Sequence, residues 1–202
     1  MNKKKILFGV GVIVVITMFA GCAGMSAKPT ESSFVAPTVS LDLVEVAHYW
    51  GWWYFAKKVE PTAGEAGDYG APLDLAFIYN IENPNPFPVR LDSLKFTVAF
   101  EEFDLNTVSS TDVMWIPAGK TNQLRVHAMF DGRQSLLSLL VTGGFKLQEK
   151  TGKSGAGAAL AQLGAWWKAA PEYGFPIHVK EGSAVFQTDG LTKVATFSAT
   201  FP

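Results

Sequence analysis

The sequence predicts a mostly β protein, an antiparallel β-sandwich with one or two short helices late in the chain. Two stretches carry that reading most clearly. In Leu73–Glu82 the residues Leu73, Leu75, Phe77, Tyr79 and Ile81 alternate with Asp74, Ala76, Ile78, Asn80 and Glu82. In Leu94–Glu101 the residues Leu94, Phe96, Val98 and Phe100 alternate with Lys95, Thr97, Ala99 and Glu101. A period of two is the mark of a half-buried strand. Helical spacing, by contrast, enters only after Asp131.

The elements follow in order. In 39–55, Val39, Leu41 and Leu43 alternate with Ser40 and Asp42 before the run His48–Phe55. If the strand continues, Trp50, Trp52 and Tyr54 share one face and Gly51, Trp53 and Phe55 the other. Burial on both faces is the plain expectation, because aromatics dominate core area. The alternative is an apolar-binding surface made by Trp50, Trp52 and Trp53, or by Trp166 and Trp167. Residues 57–72 read as an exposed loop rich in Gly, Ala and Pro, without a phosphate-loop spacing.

Between the two central strands stands Asn83-Pro84-Asn85-Pro86-Phe87-Pro88. Pro84, Pro86 and Pro88 are alternate residues, so one edge of an extended segment lacks donors. Residues before proline are also driven to extended conformations, and the Asn side chains suit Asx-turns. A kink where the chain passes from one sheet to another is expected.

Further on, Phe103–Thr111 reads as a turn, Val113–Ile116 as a strand and Pro117–Lys120 as a turn. Leu124, Val126, Ala128 and Phe130 line one side of the next strand, with Gln123, Arg125, His127 and Met129 opposite. Asp131-Gly132 looks like a turn. Ser135–Val141 is a short helix stopped by Gly143-Gly144, and Gly152–Gly157 a flexible linker. Ala158–Ala170 is a second helix, with Ala159, Leu160, Leu163, Trp166 and Trp167 on one face and Pro171 ending it. Phe175–Val179 begins a strand, Glu181-Gly182 turns it, and Ala184–Gln187 is its partner. Asp189-Gly190 is a hairpin loop, and Val194–Phe201 closes the domain. This order fits an immunoglobulin- or fibronectin-like antiparallel β-sandwich over residues 39–202.

Asn83, Pro84, Asn85, Phe87 and Pro88, the Leu91-x-x-Leu94 spacing and the strand that follows resemble the type 2 late embryogenesis abundant family. That family includes the water-stress and hypersensitive-response domain. The resemblance extends over residues 37–202. It implies a structural rather than catalytic motif, and a role in desiccation tolerance and in keeping other proteins from aggregating.

Residues 1–21 read as a secretory leader: a basic start with Lys3, Lys4 and Lys5, then the apolar run Ile6–Phe19. That run, about 15 residues, is shorter than the roughly 20 a spanning helix needs. Ala20 and Gly21 directly before Cys22 resemble the bacterial lipobox, which implies cleavage between Gly21 and Cys22 and acylation of the thiol. Residues 22–38 then form a lipidated cysteine and a Ser/Pro/Ala-rich tether. Ala23 in place of Asp resembles outer-membrane sorting, facing the periplasm, in a Gram-negative source.

Composition narrows the chemistry. Of 202 residues 48% are hydrophobic and 17% charged, enough for a core and against general disorder. Without the three leader lysines the basic count falls from 17 to 14 against 18 acids, leaving −4. A mildly acidic domain without a Lys/Arg cluster argues against a nucleic-acid partner. The single cysteine, Cys22, leaves none for a disulfide, metal or nucleophile. His48, His127 and His178 lack ligand spacing, and the latter two fall on the polar phase of their strands, where solvation is the default. There is no GxSxG elbow. Glu101 and Glu102, as adjacent strand residues, would point to opposite faces and could not act as a pair. No enzyme, cofactor or metal site is predicted. The expectation is a lipid-anchored envelope protein that binds partially unfolded proteins; the alternatives are a lipid or apolar-ligand module, or an accessory subunit of an envelope complex.

Overall fold

The alternating runs become strands, and the strands sort into two antiparallel sheets. The computed structural model describes residues 28–52, 55, 70–153 and 155–202. Gly21 and Cys22, with the predicted leader, lie outside the described residues, as does Trp53. The strands are β1 (Thr38–Tyr49), β2 (Leu73–Glu82), β3 (Val89–Phe100), β4 (Phe103–Ser110), β5 (Met114–Ile116), β6 (Thr121–Phe130), β7 (Ile177–Thr188) and β8 (Leu191–Phe201). Between β6 and β7 come α1 (Gly132–Val141), α2 (Gly144–Thr151) and α3 (Gly155–Ala169). One sheet has the order β1-β2-β6. The other runs β4-β3-β7-β8, with β5 also on β3. Their facing side chains, among them Phe77, Tyr79, Phe96, Val98 and Phe186, make one buried core. It is an antiparallel β-sandwich.

The Asn83–Pro88 segment carries the chain from the first sheet to the second, as its prolines suggest. Burial alternates along it: Asn83, Asn85 and Phe87 are buried, while Pro84, Pro86 and Pro88 are exposed. The residues without donors therefore face solvent, where no ladder needs them. Asn83 Oδ1 accepts from the Asn85 backbone N–H at 3.0 Å, an Asx-turn. Its Nδ2 donates to the carbonyls of Phe87 and Ile116 at 2.9 and 3.1 Å. Leu91 and Leu94 are core residues of β3. The side chains of Asn83 and Asn85, both buried, thus have partners for their donors and acceptors.

Several sequence expectations need correction. β1 ends at Tyr49, so Trp50 and Trp52 leave the strand instead of sharing a strand face. A bulge between Leu41 and Leu43 shifts the phase, leaving Leu43 exposed and burying Val44. Residues 103–110 are strand β4 rather than a turn; the turn is Glu101-Glu102, with Glu101 at φ 53°. Asp104 and Asn106 are poor strand formers, but pairing with β3 overrides that preference. Glu181-Gly182 does not reverse the chain. Glu181, at φ 52°, forms a bulge inside the continuous β7, so 184–187 belongs to the same strand and not to a partner. Asp131-Gly132 opens α1, with Asp131 Oδ1 accepting from the backbone N–H of Arg133 and Gln134. Among the described residues there are three helices, not one or two. The end of the predicted tether belongs to the domain: Phe34 packs edge-on against Phe87 at 6.2 Å, and Asn85 exchanges hydrogen bonds with the Val35 backbone.

Strand register defines two poles. Thr38 pairs with Glu82 and Tyr49 with Leu73, while Leu73 pairs with Phe130, directly before α1. The chain therefore enters at the Asn83–Pro88 pole. The helices cap the opposite one.

Candidate functional site

The helical cap is fixed by its aromatics. Trp166 and Trp167 are 2% and 0% exposed. Trp166 meets Phe100 and Phe103 edge-on at 5.7 and 5.5 Å. Trp167 donates from Nε1 to the Ala71 carbonyl at 2.6 Å. The Tyr49 hydroxyl donates to the Trp167 carbonyl at 2.6 Å. These two tryptophans are the plug between cap and sandwich, so they offer no apolar-binding surface. Truncating either to Ala removes about 3–5 kcal/mol. Trp52 is half-buried, stacked on Phe55 at 4.5 Å and seated against Gly164 of α3. Trp50 Nε1 donates to His48 Nε2. Of the predicted surface, then, Trp52 is taken up by Phe55 and α3 and Trp50 by His48, while Trp53 lies outside the described residues.

Charged side chains clip the cap to the sandwich. Lys150 Nζ of α2 donates to Glu101 Oε2 at 2.6 Å and to Glu102 Oε2 at 3.2 Å. Glu101 and Glu102 thus converge on one cation, because they occupy a turn and not opposite faces of a strand. Burial pulls the Lys150 pKa down, but the hydrogen bonds and charges of both glutamates outweigh it, holding the ammonium above its usual 10.5. Glu101 Oε2 also accepts from Gln162 and from the Trp166 indole. The arrangement is structural: every carboxylate contact is to a cation or donor of the cap.

Histidine chemistry is equally bounded. His127 Nδ1 lies 2.8 Å from Asp74 Oδ2, so it has a partner instead of solvent alone. His178 Nδ1 lies 2.9 Å from Thr200 Oγ1. Among the described residues no group of three or more His, Cys, Asp and Glu is placed to hold a metal ion.

What the inner face of the cap conceals, its outer face displays. Val141 at the end of α1 is 81% exposed and Phe145 at the start of α2 is 91% exposed. Leu137 and Leu140 are exposed beside them on α1. A groove of about 270 Å³ runs here, lined by Leu139, Leu140, Val141, Phe145, Leu147 and Gly155 among others. Exposed apolar side chains scattered singly are ordinary, whereas a contiguous group on one surface marks a contact site. The cap is also basic. From Gly132 to Ala169 the chain carries Arg133, Lys146, Lys150, Lys153 and Lys168 against Glu149 alone, although the domain as a whole is acidic.

A helix stop at Gly143-Gly144, as the sequence predicts, would leave no such surface. The glycines separate two helices instead, and Phe-Lys-Leu-Gln-Glu-Lys, all but Phe145 good helix formers, was the available signal.

No family model matches the chain, and no curated protein does. Among solved structures it is similar to a protein from Archaeoglobus fulgidus known from its crystal structure. That similarity spans 80% of this chain and 94% of the other at 9% identity, with a TM-score of 0.41.

Proposed function

We propose that this is a lipid-anchored, non-enzymatic protein of the cell envelope that holds apolar segments of partially unfolded polypeptides on its helical cap. One observation carries the reading: Val141 and Phe145 stand exposed at the pole opposite the one where Phe34 enters. The lipobox-like Gly21-Cys22 supports the anchor, and the resemblance of Asn83–Leu94 to the type 2 late embryogenesis abundant family supports the protective role.

Geometry favours a polypeptide over the protein's own bilayer. Strand β2, with its 10 residues, is about 33 Å long, and a helix layer adds about 10 Å. Even fully stretched, the chain from Cys22 to Phe34 reaches only about 40 Å, and the hydrogen-bonded turn from Thr30 to Phe34 shortens that reach. Turning the cap onto the anchoring membrane would demand a tether stretched to its limit. Facing away, the cap meets whatever lies in the surrounding compartment.

The test uses the chain from Ala23, which retains every described contact. A labile reporter enzyme is heated with and without it, and light scattering follows aggregation. Suppression at up to equimolar amounts, abolished by Val141→Asp with Phe145→Asp and retained by Trp52→Ser, is expected. No suppression beyond an inert protein control rejects the reading. So does protection that survives in the cap variant. Flotation of the chain with lipid vesicles, without suppression, would reassign the cap to lipid.

A further inference from the structure

A second groove lies on the other side of Leu139, and its chemistry is different. It runs between β4 and the α1–α2 junction, holds about 270 Å³, and has Phe103, Leu105 and Leu139 as its floor. Thr97, Asn106, Thr107 and Ser138 line its walls. We propose that this groove binds a neutral sugar or comparable polyol, one ring at a time.

The argument is one of spare hydrogen-bonding capacity. Thr97 Oγ1 and Thr107 Oγ1 lie 3.1 Å apart; whichever donates, the other keeps a free hydroxyl proton. Asn106 Nδ2 is committed to the Met129 carbonyl at 2.9 Å, which leaves its Oδ1 as an acceptor. Ser138 Oγ makes no protein hydrogen bond among the described residues, so it can donate and accept. Three hydroxyls and an amide oxygen over an apolar floor match a ligand with several hydroxyls around carbon–hydrogen faces.

Charge decides against an ionic ligand. Asp104 at the rim is neutralised by Lys180 at 2.7 Å. Lys146 donates to the Glu102 carbonyl at 3.3 Å, and with Lys150 it sets two cations against the two carboxylates of Glu101 and Glu102, so the net charge here is nil. Size decides against a large one. The groove falls just below the range of about 300–1,000 Å³ that holds drug-sized molecules.

Of the residues that line it, the site shares Leu139 alone with the cap groove and neither Val141 nor Phe145, which allows the two readings to fail separately. Maltose, N-acetylglucosamine and, as an apolar probe, indole are titrated into the ¹⁵N-labelled chain from Ala23. At least one sugar should give saturable amide shifts at Thr97, Thr107 and Ser138 by about 20 mM, the weak range expected of a single ring. Thr107→Val and Ser138→Ala should each weaken that binding about tenfold, with unchanged melting temperature because both side chains sit at the surface. The Val141→Asp, Phe145→Asp chain should bind as before. Shifts that stay linear for both sugars, that map elsewhere, or that saturate in the groove only with indole would overturn the proposal. Should Thr107→Val fold poorly, Ser138→Ala alone decides.

Discussion

The indole N–H of Trp166 donates to the carboxylate of Glu101 across 3.2 Å, although 65 residues separate them in the chain. That contact ties helix α3 to the turn between β3 and β4, and the same oxygen accepts from Lys150 of α2. A residue in a surface turn therefore anchors two helices. Its backbone is left-handed, at φ 53°, a conformation that costs a non-glycine residue about 1 kcal/mol.

Two substitutions at Glu101 separate those effects. Glu101→Ala keeps the strain and loses the contacts, so unfolding in urea should show a loss of about 2 kcal/mol. Glu101→Gly loses the same contacts and relieves the strain, so its loss should be smaller by about 1 kcal/mol. Equal losses would show that the turn is unstrained.

Gly164 offers a test of how α3 is seated. A Cβ there would come within 2.9 Å of the Trp52 ring. In the native chain Gly164→Ala should cost about 1 kcal/mol, overpacking outweighing the gain in helix propensity. With Trp52→Ala in place, the same change should instead stabilise by up to about 1 kcal/mol. A double-mutant cycle measured by urea unfolding reads the reversal of sign.

Asn83 is the polar keystone of the kink. Its Nδ2 faces the carbonyls of Phe87, Ile116 and Pro117. Asn83→Ala should lose about 2–3 kcal/mol, since those carbonyls forfeit their donor. Asn83→Asp replaces the donor with a charged acceptor among acceptors and should lose about 3–5 kcal/mol. If Asp proves milder than Ala in urea midpoint, the carbonyls do not depend on this side chain.

Tyr79 yields a pH prediction. Its hydroxyl is buried between the sheets without a hydrogen-bond partner among the described residues, and burial holds its pKa above the usual 10.0. The unfolded chain releases this proton first, so the contribution to stability is whole below pH 10 and is lost as pH rises beyond it. Tyr79→Phe removes a desolvated hydroxyl and should be neutral or stabilising by about 1 kcal/mol. The variant's stability should also fall less steeply between pH 10 and 11. Equal slopes for the two proteins would refute the assignment.

Periodicity along single strands was enough to define most of the core. Leu73 to Ile81, Leu94 to Phe100 and Leu124 to Phe130 bury the faces their spacing indicates, because side chains of a strand alternate whatever it pairs with. The proline kink and the Asp189-Gly190 hairpin, at φ 45° and 80°, were equally local, since each depends on the dihedral preferences of its own residues. Tertiary structure decided the rest. The bulges at Leu41 and Glu181 depend on the partner strand, and no property of the bulged residues alone distinguishes them from a turn or a regular strand. Likewise the tryptophans at 166 and 167 and the side chains of Val141 and Phe145 are all apolar residues of short helices. Only the packing of α1, α2 and α3 against the end of the sandwich determined which were enclosed and which were left facing solvent, because burial belongs to the surface a helix meets and not to the helix itself.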